Sequence, residues 1–198
     1  MLFDINIVNS IKTAGVFLLY EKKFAFMVGP DKSGERLGIV RLGGHIEQNE
    51  KIIDCVKREI REEASTDIQL VSSPTTYYKR SWEEETYEVL DNSIFDIKPI
   101  LINGDKTRAT VLFLAYAENQ LIPAAEAYGI ILLSEEDIVK ICNEKITLST
   151  FVSQGGELLQ SQNMNFDYAL NIGPHLRFLY HLIETNYSLV EKFVARDL

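Results

Sequence analysis

The sequence is poor in the residues that mark specialised protein classes. Its 198 residues include 2 Cys, 5 Pro, 11 Gly and 1 Trp. Collagen-like and low-complexity chains need far more Gly or Pro, so both classes are excluded. No apolar run approaches the roughly 18 residues of a transmembrane helix, and the first residues lack the basic and apolar regions of a signal peptide. We therefore expect a cytoplasmic protein of about one domain with its own core.

The two cysteines do not form a recognisable metal or disulfide pattern. Cys55 and Cys142 lie far apart, and neither belongs to a Cys-x-x-Cys motif or a Cys/His cluster. Zinc sites and disulfide frameworks are typically built on such closely spaced ligands or on many cysteines. The sequence therefore predicts two buried free thiols.

Basic residues are also in the minority. The chain has 20 Lys and Arg against 29 Asp and Glu, a net charge of −9. Such a charge opposes non-specific attraction to nucleic acids and to anionic membranes. We expect neither as a partner, and a phosphate-bearing ligand would need cations at its site.

The first part of the chain alternates short apolar runs with loops. Runs at 14–20 and 24–28 predict a hairpin, and 38–42 predicts a third strand that ends at Gly43-Gly44. Apolar residues then recur at helical spacing from about Glu50 to Ala64, which indicates an amphipathic helix. Further strands are predicted at 68–71, 77–79, 85–90, 100–102, 110–117 and 130–133.

Helices are predicted after these strands. The segment Ser134-Glu135-Glu136-Asp137 is typical of a capping box. Pro174 begins an amphipathic pattern of about five turns. The pattern indicates an α/β (α+β) protein with a mixed sheet, organised as a domain over 1–145 and a helical extension over 146–198 packed on it.

Three carboxylates of the predicted helix share one side. Glu59, Glu62 and Glu63 fall within a sector of about 100°, next to the apolar positions of Val56 and Ile60. Like charges at this spacing destabilise a helix unless a cation lies among them. Oxygen ligands favour hard cations such as Mg²⁺ or Mn²⁺. The alternative is a solvated helix with ordinary ion pairs.

The stretch that contains these carboxylates resembles the Nudix box, G-x5-E-x7-R-E-U-x-E-E-x-G-U, where U is a bulky aliphatic residue. The positions in register are Gly44, Glu50, Arg58, Glu59, Ile60, Glu62 and Glu63, with Gly43 and Glu47 as common additions. Ser65 and Thr66 depart from the Gly and the aliphatic residue of the pattern. The resemblance implies a Nudix α/β/α sandwich, and the residues beyond about 145, which match no part of the family core, form the C-terminal helical extension. The Gly of the pattern often closes the helix in a left-handed conformation, so Ser65 is expected either to cost about 1 kcal/mol there or to give the helix a slightly different exit.

The resemblance also implies an activity. Nudix hydrolases cleave nucleoside diphosphates linked to another moiety, by attack of water at phosphorus. Carried over by position, the metal ligands are Glu59, Glu62, Glu63 and the Gly43 carbonyl, for Mg²⁺ or Mn²⁺. Arg58 orients Glu62, and Glu50 supports the site. The general base is either a box glutamate such as Glu59 or the loop residue Glu126.

Several alternatives remain open at this point. A non-catalytic Nudix-like nucleotide or nucleotide-sugar sensor is the second hypothesis, and a diphosphate isomerase or an RNA-processing enzyme is less favoured. Glu83, Glu84, Glu85 and His45 are further acidic or basic candidates, and Phe26, Tyr77, Tyr78 and Trp82 are candidates for stacking on a base. The expected partner is a small nucleotide-derived substrate, and the sequence permits a homodimer.

Overall fold

The computed structural model describes residues 6–90, 94–124 and 127–198. Within these ranges the fold consists of a mixed sheet and helices on both of its faces. In chain order the elements are α1 (Asn6–Asn9), β1 (Ile11–Tyr20), β2 (Lys23–Pro30), β3 (Leu37–Val40), β4 (Leu42–His45), α2 (Ile52–Ala64), β5 (Ile68–Val71), β6 (Thr76–Lys79), β7 (Glu88–Leu90), β8 (Leu101–Gly104), β9 (Ala109–Ala117), β10 (Gly129–Leu133), α3 (Glu135–Asn143), α4 (Leu148–Ser153), β11 (Glu157–Gln160), β12 (Leu170–Ile172), α5 (Pro174–Thr185) and α6 (Tyr187–Ala195).

Strand β1 lies at the centre of the sheet. It pairs with β2 and β4 in antiparallel and with β9 in parallel. The main path of hydrogen-bonded strands is β11-β10-β2-β1-β9-β8-β6-β7. Off this path, β3 joins β2 to β12, and β5 pairs with β9. Because the sequence of β1 is almost continuously apolar, it suits a strand that is buried on both faces.

The two faces of the sheet carry separate cores. Val16 and Leu18 pack with α2, through residues such as Ile60. Phe17 and Leu19 point to the other face, where they pack with α3, α5 and α6. Alternate residues of one strand thus contact opposite helical layers. The predicted α/β fold with a mixed sheet between helices is confirmed.

Two of the predicted elements are wrong in detail. The third strand is two strands, because β3 pairs with β2 whereas β4 pairs with β1, and Arg41 separates them. The single terminal helix is α5 and α6, which are separated at Asn186 with φ −146° and ψ 55°. Asn186 Nδ2 donates a 2.9 Å hydrogen bond to Tyr77 Oη, which holds the break against the sheet.

The segment after residue 145 contains strands as well as helices. Strand β11 pairs with β10, and β12 pairs in parallel with β3. These strands have only four and three residues, too few to produce a readable alternation in the sequence. The division at residue 145 stays a prediction. No helix in the described ranges has the length and apolar character needed to cross a membrane.

Candidate functional site

The double glycine at the end of β4 lies directly against α2. A Cβ on Gly44 would be 2.4 Å from the carboxylate atoms of Glu59. Gly43 has φ +119°, and its N–H donates a 2.7 Å hydrogen bond to Oε2 of Glu63. The close approach of this backbone to carboxylates requires residues without a Cβ. The glycines therefore place two of the three predicted carboxylates at one strand end.

Arg58 connects the remaining acidic residues. Its Nη1 lies 2.8 Å from Oε1 of Glu59 and 3.0 Å from Oε2 of Glu62. Its Nε and Nη2 bond the two carboxylate oxygens of Glu50 at 2.8 and 3.0 Å, and Nη2 also donates to the carbonyl of His45. The predicted Arg58–Glu62 pair is present. The bidentate bond to Glu50 fixes the plane of the guanidinium, so that it holds two carboxylates side by side.

The ion pair with Arg58 keeps Glu50 ionised. The hydrogen bonds from Arg58 lower the pKa of Glu50 to about 2, and the N–H of Glu47 acts in the same direction. Two carboxylates raise the pKa of Arg58 in turn. The support that Glu50 gives to the site is therefore retained well into the acidic range.

Glu63 has the opposite electrostatic setting. Burial, together with the charges of Glu59 and Glu62, raises the pKa of Glu63 to about 8, although the Gly43 N–H and Arg41 act to lower it. A carboxyl group in this position is costly to ionise without a nearby cation. Its Oε1 makes no hydrogen bond to the described residues. Glu63 is the carboxylate of this cluster that would gain most from a bound cation.

Arg41 is a buried member of the site that the sequence analysis missed. It separates β3 from β4, its Nη1 donates to the carbonyl of Leu42, and Nε has no partner among the described residues. Burial lowers its pKa, against the charges of Glu63 and Glu59. The signal in the sequence that could have indicated Arg41 is a single basic residue in the apolar run before the double glycine. An exposed strand position produces the same pattern, so the signal does not identify a buried residue.

A cavity of about 470 Å³ opens beside Glu63. Strands β2, β3 and β12 form its walls, together with the side chain of Tyr128. Asn171 Nδ2 donates to Asp31 Oδ2 at 3.2 Å on its rim. The volume is in the range of small-molecule sites, with a few polar groups among apolar walls. The candidate site thus has space for an organic ligand next to its carboxylates.

The two departures from the motif have clear structural counterparts. Ser65 caps α2 with φ 51° and ψ 33°, so of the two outcomes expected at this position the left-handed conformation is the one present. Thr66 is buried, and its hydroxyl lies within 3.2 Å of the carbonyl and the N–H of Asn119. A hydrogen bond to this loop replaces the apolar contact that an aliphatic residue would make.

Other candidates lie apart from this cluster or have structural contacts. Glu84 accepts from the N–H of Arg80, and its neighbours Glu83 and Glu85 are exposed. The ring of His45 is 3.2 Å from Arg108 Nη2.

The aromatic candidates for stacking on a base also have structural contacts. Phe26 is fully buried, so a stacking role for it is wrong. Tyr77 packs on Phe178 and Tyr87, Tyr78 donates to the carbonyl of Gly104, and Trp82 contacts His175. Glu126 lies outside the described residues.

The donor chemistry suits a hard divalent cation, but the described residues form no preformed metal site. In the described part of the chain, no three His, Cys, Asp or Glu side chains are arranged to hold an ion. Arg58 already neutralises Glu59 and Glu62. Arg58 contacts one oxygen of each carboxylate, Oε1 of Glu59 and Oε2 of Glu62, so the other oxygen of each is left for a cation while the guanidinium holds the side chains in place. Both cysteines are free, as predicted, but only Cys55 is fully buried, and Cys142 is partly exposed.

Comparison with known proteins gives structural matches only. No protein-family model matches the sequence, and no curated protein matches it. Among 145 matching solved chains is a Nudix-family hydrolase from Clostridium perfringens, with 19% identity and a TM-score of 0.45 over 65% of this chain and 83% of that one. Another is a putative Nudix hydrolase from Chromobacterium violaceum, with 16% identity and 0.48 over 94% and 87%. The chain resembles Nudix hydrolases.

A third match shows the range of activities among these proteins. The C. elegans Ap4A hydrolase is 15% identical, with a TM-score of 0.41 over 67% of this chain and 87% of that one. Identities at this level describe the fold and not the substrate. The function proposed for this chain therefore depends on its own Nudix box residues and their geometry.

Proposed function

We propose that this protein is a divalent-metal-dependent Nudix pyrophosphohydrolase. It cleaves the diphosphate of a nucleoside diphosphate linked to another moiety, by attack of water at phosphorus. The observation that carries this proposal is the collection of Glu59, Glu62 and Glu63 at the end of β4, by Arg58 on one side and the Gly43 N–H on the other. Such a cluster is costly in the absence of a cation.

The three glutamates would hold Mg²⁺ or Mn²⁺, with the Gly43 carbonyl as a further candidate ligand. A bound ion of this kind neutralises a diphosphate and lowers the pKa of a coordinated water. Arg58 positions Glu59 and Glu62, and Glu50 fixes Arg58 through its bidentate bond. Glu63 is held by the backbone, so its free oxygen keeps a constant position.

A small nucleotide derivative is the proposed substrate. The cavity of about 470 Å³ beside Glu63 accommodates a group of that size. The net charge of −9 disfavours a long polyanion such as RNA. The metal ions and Arg41 would offset this charge locally.

The first test is a hydrolysis screen in Mg²⁺ or Mn²⁺. The panel contains nucleotide sugars, dinucleotides, dinucleoside polyphosphates, coenzyme A and nucleoside triphosphates, with release of phosphate read after a coupled phosphatase. We expect at least one substrate whose turnover is lost in the Glu62→Gln, Glu63→Gln double variant. Turnover that survives in this variant would contradict the proposal. Ligand-induced thermal shifts without any cleavage would favour the sensor hypothesis instead.

The same assay assigns the general base. Glu59→Gln and Glu126→Gln are compared at saturating metal, because loss of a base lowers kcat by about 10²–10⁴-fold. A larger fall in kcat for one of the two variants, with metal binding retained, identifies that residue as the base.

A further inference from the structure

A second cavity, outside the Nudix box, has a strongly cationic lining. It has a volume of about 320 Å³ and is lined by Lys79, Trp82, Tyr87, Ile172, Pro174 and Arg177. We name it the basic pocket. The end of β12 and the start of α5 separate it from the cavity beside Glu63, since Asn171 and Gly173 line the first cavity while Ile172 and Pro174 line the second.

Among the described residues, the two cations of the basic pocket have no acidic partner. Lys79 is only 7% exposed, and its ammonium lies 4.4 Å from the centroid of the Tyr87 ring. Arg177 is exposed on the first turn of α5. Neither residue forms an ion pair with any carboxylate in the described ranges. This is unusual in a chain with nine more acidic than basic residues.

The walls of the pocket are aromatic. The ring of Trp82 meets His175 edge-on, with centroids 5.1 Å apart. Tyr87 packs against Phe178 at 4.9 Å and His181 at 4.8 Å. Burial and the charge of Lys79 lower the pKa of His181. The rings are therefore held in place by the core and do not need a ligand to order them.

Lys79 is a largely buried cation with no carboxylate partner among the described residues. The cation–π contact with Tyr87 is the interaction that compensates its charge there. A ligand that brings a phosphate would neutralise Lys79 and Arg177 through charge-assisted hydrogen bonds. An aromatic group on the same ligand would contact Trp82 and Tyr87. The volume lies at the lower end of the range for small-molecule sites.

We propose that the basic pocket binds a phosphate-bearing aromatic ligand, namely a mononucleotide. Lys79 and Arg177 bind its phosphate, and the indole of Trp82 contacts its base. The nucleotide is either one half of a larger substrate or a free molecule. This site is separate from the box carboxylates and does not depend on hydrolysis there.

The chain offers a direct readout, because Trp82 is its single tryptophan. The full-length protein is titrated with AMP in the absence of divalent metal, and the fluorescence of Trp82 is followed. We expect a saturable change with AMP. Adenosine, which lacks the phosphate, should bind at least about tenfold more weakly, since it loses the charge-assisted bonds. Adenosine that binds as tightly as AMP would overturn the proposal.

Variants test the two cations separately. Lys79→Gln and Arg177→Gln should each weaken AMP binding about tenfold. Lys22→Gln, at the exposed β1–β2 turn, is the matched control and should bind as the wild type does. Because Arg177 is exposed, Arg177→Gln should fold as the wild type does, so AMP binding can be tested in it even if Lys79→Gln lowers the thermal stability. Absence of a saturable signal in folded wild-type protein, or unchanged affinity in both variants, would overturn the proposal.

A kinetic experiment tells whether the bound nucleotide is one half of the substrate or a free molecule. The KM of a substrate identified by the hydrolysis screen is measured with and without AMP. A rise in KM with AMP that is smaller in Arg177→Gln than in the wild type identifies the pocket as the site for one half of the substrate. Binding of AMP without an effect on KM identifies a free nucleotide. Since AMP contains no phosphoric anhydride, its binding is measurable whether or not the protein is a hydrolase.

Discussion

The backbone N–H of Gly43 donates a 2.7 Å hydrogen bond to Oε2 of Glu63. This bond joins the end of β4 to the last turn of α2 and holds a buried carboxylate whose pKa is raised to about 8. The strand end and the helix thus form one unit. Arg58 holds the other two carboxylates from the exposed side of the same helix.

Loss of Arg58 should release these carboxylates. In Arg58→Ala we expect the affinity for Mn²⁺ to fall about 10–100-fold, since residues that hydrogen-bond to metal ligands typically contribute that much. Isothermal titration with Mn²⁺ measures the change. Arg61→Ala is the matched control, because among the described residues the Arg61 side chain pairs with the exposed Asp67 alone. Equal Mn²⁺ affinities of the two variants would contradict the positioning role.

The double glycine allows function and stability to be separated. In Gly44→Ala the new Cβ would lie 2.4 Å from the carboxylate of Glu59. The flexible side chain can move, so we expect little change in Tm but about a 10²-fold loss of turnover, as for an ångström-scale misplacement. In Gly43→Ala the Cβ would lie 2.3 Å from the carbonyl oxygen of Ala14, at φ +119°, so that variant should lose stability.

Thermal unfolding and hydrolysis assays on both glycine variants check this contrast. A Gly44→Ala protein that is fully active would show that Glu59 need not remain where the structure places it.

Restoring glycine at the end of α2 should stabilise the protein. Ser65 adopts φ 51° and ψ 33°, where a side chain costs about 1 kcal/mol relative to glycine. We expect Ser65→Gly to raise the free energy of unfolding by about that amount, measured by urea denaturation. Ser65→Ala retains the Cβ and is the control. A gain in both variants would point to the hydroxyl rather than the backbone as the source of the cost.

His175 should make the stability depend on pH. Burial, reinforced by Arg41, lowers its pKa from 6.5 to about 3, and its Nε2 has no partner in the described part of the chain. The unfolded chain therefore takes up a proton first as the pH falls. The stabilising contribution is fully present above pH 6.5 and is lost toward pH 3, with a slope of at most about 1.4 kcal/mol per pH unit.

Urea denaturation at a series of pH values measures this slope. Between pH 6.5 and about 3, we expect the free energy of unfolding to fall more steeply with decreasing pH in the wild type than in His175→Gln. Identical pH profiles for the two proteins would show that the imidazole is not buried in its neutral form.

The predictions that held are those supported by local patterns. Strand β5 and the hairpin of β1 and β2 follow from apolar runs bounded by polar turns. The capping box at Ser134 is present, with both reciprocal bonds to Asp137. The predicted terminal helix was wrong at Asn186, because its periodicity continues through a break that a contact with Tyr77 stabilises.

The mixed α/β architecture and the acidic helix can be predicted from the amino-acid pattern, because residue spacing fixes which side chains share a face of an element. Which charges are buried and which are paired depends instead on how the elements pack. Arg41 lies in an ordinary strand pattern until β1 and β4 close around it. Lys79 and Arg177 become neighbours only when β6 meets α5. Burial and pairing depend on elements that are distant in the chain, and no local pattern records them.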